Sequence, residues 1–296
     1  MPETDLIGAL ELGGTKIVMA TGHADGTVLA RETISTCAPG QVMPQIARFF
    51  AGQARPVRAL GVGAFGPIVV DPHARCYGHL LETNKPGWSH FDLVGALTDH
   101  LPVPVRLLTD VGAAAIAEAR IGALRGAALG VYLTVGTGIG GAIVCNGSLL
   151  PAALHPEMGH VALRRAEGDE APSVCAFHSD CAEGLASGPA IIRRWGSSLS
   201  EVTQPGPELA LIAGYLGQLC AKLVLTLSPH RIVIGGGVAQ TPGLVAEVER
   251  RTIELLGNYA VQARAGNLVT LPHLGQESGI TGSLITAGEL CVGMTA

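Results

Sequence analysis

One pattern occurs twice in this chain and constrains its architecture more than any other feature. Residues 6–22, LIGALELGGTKIVMATG, read as an apolar strand, a Gly/Thr turn, a second apolar strand and a closing glycine. Residues 131–147, VYLTVGTGIGGAIVCNG, repeat that order. Such an internal repeat points to two lobes of shared design. Around the copies, strand and helix patterns alternate. A hairpin arm is expected over 24–36 with Asp25-Gly26 as its turn, a helix over 42–53 and a short buried strand over 59–63. Then come a helix over 91–100, a strand over 105–108 and an Ala-rich helix over 112–124. After the second copy follow a Cys/His-rich loop at 155–181, a helix from Gly184 and a long amphipathic helix over 208–227. A strand at 231–234, a helix over 243–256, a strand near 268–271 and a C-terminal helix from Thr281 finish the chain. Alternation of this kind is the α/β class.

The 296 residues suit two domains. No low-complexity linker divides them, so they must pack directly, with a hinge near 110–125 and a second crossing near 275–285. The expected division is a small α/β domain over 1–115, on which a C-terminal helix of about 281–296 packs back, and a large α/β domain over 116–280.

Composition excludes several classes. Charged residues are only 15% and hydrophobic residues 48%, the reverse of what a disordered chain needs. Net charge is −5 and no run of Lys or Arg exceeds two residues, so no basic stripe for nucleic acid or an anionic membrane is visible. Residues 126–156 carry no charged side chain, but seven glycines and two prolines interrupt them; buried strands joined by turns explain this better than a membrane span. Seven cysteines, of which only Cys175 and Cys181 cluster, do not make a disulfide framework. The acidic opening Met-Pro-Glu-Thr-Asp-Leu lacks the basic region of a signal peptide. A soluble cytoplasmic protein is expected.

Three glycine clusters follow strands: Gly13-Gly14-Thr15-Lys16, Gly136-Thr137-Gly138-Ile139-Gly140-Gly141 and Gly235-Gly236-Gly237. Phosphate oxygens need convergent backbone N–H groups with no Cβ in the way, which glycine after a strand supplies. Neither the P-loop nor the dinucleotide fingerprint fits, since a strand rather than a helix follows Gly141. One such cluster alone reads as a hairpin turn or helix cap. Three together, two of them in a repeated unit, read as a phosphate site.

Asp110 ends a buried strand and opens the Ala-rich helix. It reads either as a helix N-cap or as a base that accepts a hydroxyl proton during attack on a γ-phosphate. His160, Cys175, His178 and Cys181 form a C-x2-H-x2-C clip with a histidine upstream. Two thiolates and two imidazoles suit tetrahedral Zn²⁺, and four protein ligands close the shell, so the metal is structural. Glu157, three residues before His160, is expected to share a face with it, and Glu183, just after the last Cys, to be placed by the same clip.

The segments ELGGTK (11–16), GAFGPI (63–68), TNKPGW (83–88), TDVGAAAIAE (109–118), VGTGIGG (135–141), HPEMGH (155–160), CAFHSDCAEGLASGPAI (175–191), IGGGV (234–238) and LGQESGITGSL (274–284) resemble the ROK sugar-kinase family, and most closely its bacterial fructokinase branch. The resemblance implies an actin/hexokinase-like (ribonuclease H-like) fold of two α/β domains with the active cleft between them. It implies ATP with Mg²⁺ and a hexose, fructose before others, as substrates, with structural Zn²⁺; a homodimer is expected, with no nucleic-acid or membrane partner. By motif position Asp110 is the base. Glu157, His160 and Glu183 hold sugar hydroxyls, Thr109 is a further substrate-binding residue, and His160 turns one ring nitrogen to zinc and the other to sugar. Gly13, Gly14, Thr15, Lys16, Thr137 and Gly138 approach the phosphates, and Gly236 and Gly237 flank the nucleotide.

The chain departs from many family members in having Thr109 before the catalytic Asp, as the fructokinase branch does, and Gly112 two residues after it. The implied activity is transfer of a phosphoryl group to the 6-hydroxyl of fructose. Glucose, mannose or N-acetylhexosamine phosphorylation is the alternative within the class, and a sugar-binding protein without catalysis lies outside it. A repressor of the same family would need a helix-turn-helix ahead of the first glycine turn, where twelve residues stand.

Overall fold

The computed structural model describes residues 5–152, 154–201, 206–257, 259 and 267–293. The chain forms two compact units. One comprises Met1–Ala117, Pro151–His155 and Glu277–Ala296; the other comprises Glu118–Leu150 and Pro156–Gln276.

The first unit is built on β1 (Ile7–Leu12), β2 (Lys16–Gly22), β3 (Val28–Ser35), β4 (Leu60–Ala64) and β5 (Val105–Thr109), in the order β3-β2-β1-β4-β5. The pairs β1–β2 and β2–β3 are antiparallel, because short turns join them, whereas β1–β4 and β4–β5 are parallel. Parallel neighbours require crossovers, and α1 (Pro39–Ala51) and α2 (Leu93–His100) lie in those connections. The register lines up Leu12, Ala64 and Thr109 across β1, β4 and β5, so their C-terminal ends share one sheet edge. α3 (Asp110–Ile121) leaves directly from that edge.

β1 and β4 are buried on both faces and read as continuous apolar runs for that reason. One face carries Leu10, Leu12, Ile17, Ile46, Val62 and Trp88. The other packs on α8 (Ser278–Gly293) through Ile280, Leu284 and Ala287. The approach is close: a Cβ at Gly61 would fall 1.9 Å from the Ser283 carbonyl oxygen, so only glycine fits there.

The second unit repeats the plan. β6 (Leu129–Val135), β7 (Ile139–Cys145), β8 (Ser148–Leu149), β9 (Arg231–Gly235) and β10 (Val269–Thr270) run in the order β10-β9-β6-β7-β8. β6–β7–β8 is antiparallel and β6–β9–β10 parallel, the pairing scheme of β1–β5 strand for strand. The repeat read from the sequence is thus a repeat of topology. It also accounts for the uncharged stretch 126–156, which supplies β6, β7 and β8.

The core of this unit lies between the sheet and α4 (Ala182–Ala186), α5 (Gly188–Trp195), α6 (Pro207–Leu227) and α7 (Leu244–Leu255). α6 is long and apolar enough to cross a membrane by length and composition. It instead buries Ile212, Leu216, Leu219 and Leu223 in the core.

Most expected elements shift by one to three residues at an end, as α1 does from 42–53 to Pro39–Ala51, and three differences have a clear local cause or limit. The helix expected over 112–124 begins at Asp110, because Thr109 caps it. The helix expected from Gly184 is two helices: Ser187 is extended and Pro189 occupies the first turn of α5, where a missing N–H costs nothing. The C-terminal helix starts at Ser278, and of the expected span 281–296 the last three residues lie outside the described residues.

Candidate functional site

In the first unit, the β1–β2 connection is a tight turn in which the Gly13 N–H donates to the Lys16 carbonyl at 3.0 Å. Thr36 fixes it from β3's end: its hydroxyl donates to the Gly13 carbonyl at 2.7 Å and its N–H to the Thr15 carbonyl at 3.0 Å. Gly13, Gly14, Thr15 and Lys16 therefore stand together, with Thr15 and Lys16 exposed.

Asp110 follows β5, two strands from β1 on the same sheet edge, with β4 between them. The helix cap here is Thr109, whose buried hydroxyl accepts the Gly112 N–H at 3.0 Å. Asp110 accepts only the adjacent Val111 N–H, at 2.8 Å, among the described hydrogen bonds. Burial pushes its carboxyl up to about 6, against the opposing pull of the Val111 N–H and of His155. Glu11, the lone charged residue of β1, is pushed up to about 7 by burial and by the Asp110 charge, while Lys16 and Arg31 pull it down. Two interacting carboxyls thus stand at one sheet edge, each pushed toward neutrality.

Glu11 was not among the residues singled out from the sequence. Its signal was there, as a single carboxylate inside an otherwise apolar buried strand. Lys85, inside the TNKPGW segment, has no local spacing that singles it out; its tail lies across Gly14, Nζ 3.5 Å from where a Cβ would stand.

In the second unit, the β6–β7 turn closes through the Gly136 N–H to the Gly138 carbonyl at 2.9 Å. The Gly136 carbonyl accepts the Gly188 N–H at 2.7 Å, which ties the turn to the start of α5. β9 ends beside β6, Gly235 paired with Thr134, so the third glycine cluster meets the second. Gly236 has φ +88°, and a Cβ there would fall 2.4 Å from the Val135 carbonyl oxygen, so the position admits no side chain. Gly237 opens a short 3₁₀ turn over Val238–Gln240. Thr137, Gly138, Gly236 and Gly237 are thus neighbours. Glu183 joins them: its Oε2 accepts the Ile139 N–H at 2.9 Å and lies against Gly138.

The same unit assembles a metal-ligating cluster. A 3₁₀ turn over Met158–His160, entered from the exposed Glu157, packs on β7 and α4. The next residues bridge back to the loop: Ala162 pairs with Cys181, and the Leu163 N–H donates to the Asp180 carbonyl at 2.7 Å. His160 is thereby set beside Cys181. Donor atoms of His160, Cys175, His178 and Cys181 all lie within 4.8 Å of one another. Cys175 Sγ is 3.7 Å from His160 Nδ1 and 3.6 Å from His178 Nδ1, and Cys181 Sγ is 3.8 Å from His160 Nδ1.

Metal–sulfur bonds of about 2.3 Å and metal–nitrogen bonds of about 2.0 Å at a tetrahedral angle set such edges near roughly 3.5 Å. The set therefore fits a four-coordinate ion, and its S₂N₂ chemistry suits a soft or borderline metal. Because His160 meets the cluster through Nδ1, its Nε2 is the nitrogen left to face elsewhere.

A second clasp holds this loop. The Asp169 carboxylate, 7% exposed, pairs with Arg194 at 2.9 Å and accepts the Tyr215 hydroxyl at 2.5 Å. Arg194 also donates to the carbonyls of Leu185 and Ala190, and Arg165 donates to those of Ala171 and Ser179. Burial pushes the Asp169 carboxyl up, but the hydrogen bonds from Arg194 and Tyr215 and the Arg194 charge outweigh it and hold the carboxyl down at about 2.

The chain is similar over almost its whole length to proteins of known class. It is 36% identical over 282 residues to a fructokinase of Pediococcus pentosaceus, covering 95% of this chain and 97% of that one. It is 37% identical over 290 residues to a fructokinase of Zymomonas mobilis, covering 95% and 96% respectively. The solved structure of a ROK hexokinase from Thermus thermophilus superposes with a TM-score of 0.79 at 27% identity, covering 98% of this chain and 99% of that one. The model of the ROK family matches residues 7–289, a span that takes in both glycine-turn units, the Asp110 strand end and the Cys/His cluster. With that match and relatives above 30% identity over nearly the full length, this chain belongs to the ROK family.

Proposed function

We propose that this protein is an ATP-dependent hexose kinase that transfers the γ-phosphoryl group of ATP to the 6-hydroxyl of D-fructose. One observation carries the reading. The Asp110 carboxylate stands at the sheet edge that also carries the first glycine turn, relieved of helix capping by Thr109 and held near a pKa of about 6. A carboxylate so placed can take the hydroxyl proton as the sugar oxygen attacks phosphorus, the bond to the β-phosphate oxygen breaks and ADP departs.

In this reading Gly13, Gly14, Thr15, Lys16, Thr137 and Gly138 meet the phosphates. Gly236 and Gly237 flank the nucleotide. Glu157, Glu183 and the Nε2 side of His160 hold sugar hydroxyls, and Thr109 acts through its cap, by fixing where Asp110 points. Mg²⁺ arrives with ATP and supplies charge neutralisation of the phosphates. The metal of the Cys/His cluster is Zn²⁺, which supplies order to the loop and no chemistry. Fructose leads the substrate list because fructokinases are the relatives above 30% identity named here. The protein acts in the cytoplasm as a homodimer, which sedimentation of the purified protein checks.

The test is ADP release from MgATP with fructose, mannose, glucose and their N-acetyl derivatives. The highest kcat/KM is expected for fructose, with fructose 6-phosphate as product. A different leading hexose overturns the substrate, and no ADP release with any of them overturns the kinase.

A further inference from the structure

Lys85 is brought to the first glycine turn by a segment of its own. It belongs to TNKPGW at 83–88, in the connection between β4 and α2. A Cβ built on Gly14 would stand 3.3 Å from Lys85 Cε and 3.5 Å from Nζ. The glycine thus gives the lysine tail its place.

The segment is a built loop. Trp88, 1% exposed, donates its indole N–H to the Cys37 carbonyl at 2.9 Å and meets Phe65 and Phe91 edge-on. Its backbone N–H donates to the Lys85 carbonyl at 3.1 Å. The Lys85 N–H donates to the Thr83 hydroxyl at 3.4 Å, and the Ser89 hydroxyl donates to the Thr83 carbonyl at 2.9 Å. The backbone is anchored by a buried indole while the half-buried ammonium is delivered to the turn. It forms no ion pair with any described carboxylate.

We propose that Lys85 is a catalytic residue that binds the transferred phosphoryl group, neutralising its oxygens as they pass from ATP to the sugar. The proposal rests on the kinase reading. Phosphoryl transfer leaves little covalent work for the protein, and a fixed cation where charge spreads over the equatorial oxygens lowers the barrier. Lysine is a compact point charge suited to that position. The strand residue Lys16 can follow the nucleotide, whereas Lys85 comes from a separate loop across the turn.

The experiment compares wild type with Lys85→Met, Lys85→Ala and Lys85→Arg. Methionine keeps the packing over Gly14 and removes only the charge. Turnover with MgATP and fructose should fall about 10²–10³-fold in Met and Ala, with fructose KM within a few-fold of wild type. Arg should recover part of the loss, and ethylammonium should restore the Ala variant saturably. Melting temperature should stay near that of wild type. MgATP affinity, measured by calorimetry without sugar, should weaken about tenfold in Met and Ala.

Variants that turn over and bind MgATP within a few-fold of wild type overturn the proposal. So does lost activity that follows lost stability and that no amine restores. Should the wild type phosphorylate no hexose, the kinase reading fails by itself, and the calorimetry still decides whether Lys85 binds phosphate.

Discussion

The Thr109 hydroxyl accepts the Gly112 N–H at 3.0 Å. This single bond separates two roles that the sequence left open for Asp110. Both Thr and Asp cap helices well, and either could have served at this junction. With the cap filled by Thr109, the Asp110 carboxylate is spare, and its burial is costly for a group that has no structural duty.

Asp110→Asn should lower kcat about 10²–10⁴-fold, the usual worth of general-base assistance. Fructose KM should change far less, because the amide still hydrogen-bonds a hydroxyl. Steady-state kinetics on a variant with wild-type circular dichroism makes the comparison. Turnover within a few-fold of wild type would remove Asp110 from the mechanism.

The pKa of Asp110 predicts the pH behaviour of both activity and stability. Activity needs the deprotonated base, so kcat should fall about tenfold per pH unit below about 6. For stability the sign runs the other way. The folded carboxyl binds its proton more tightly, at about 6, than at its ordinary 3.8. Its charged form therefore destabilises the fold, with the cost appearing as pH rises through that window and complete above it. Asp110→Asn should be more stable than wild type at pH 8, by up to about 3 kcal/mol, and the gap should close toward pH 4. Chemical denaturation at both pH values measures it, and a variant less stable than wild type at pH 8 contradicts the argument.

Metal analysis should give about one Zn²⁺ per chain, since four ligands close one tetrahedral site. Stripping the ion with a chelator at neutral pH should raise fructose KM and lower the melting temperature together. Replacing Cys181 by Ser should do the same if its sulfur is a ligand, because a hydroxyl binds a borderline metal far more weakly than a thiolate while still able to accept the Gly184 N–H. A zinc-free preparation with full activity and stability would sink the assignment.

The Asp169–Arg194 pair is nearly sealed from solvent, at 7% and 4% exposure. Arg194→Met should cost about 2–3 kcal/mol, because it removes the nearer of the two guanidiniums from a buried carboxylate and leaves only Arg165, at 3.6 Å. Replacing both partners together should cost less than that single change. The pair's stabilisation, present at neutral pH, should be lost as pH falls through about 2, where Asp169 protonates. Denaturant midpoints for the two single variants and the double variant check the coupling.

Gly236→Ala should destabilise by a few kcal/mol, from positive φ and from a methyl 2.4 Å from the Val135 oxygen. Gly237→Ala, where a Cβ meets nothing within 4 Å, should be close to neutral in stability. Equal melting temperatures for the two variants would contradict the geometry.

The sequence by itself determined the duplicated strand–turn–strand plan, because burial on both faces demands apolar runs and tight turns demand glycine. Local spacing likewise announced the Cys175–Cys181 clip, since ligands a few residues apart need only one loop to converge. What the tertiary structure alone decided is which groups meet across long separations. Glu11 and Asp110 interact because parallel pairing sets the ends of β1, β4 and β5 side by side. Lys85 reaches Gly14 because Trp88 is buried beneath its loop. Asp169 meets Arg194 because α5 and the metal loop pack together. Such meetings depend on register and packing, which side-chain periodicity does not encode, and so do the proton affinities of the carboxyls that the register places together.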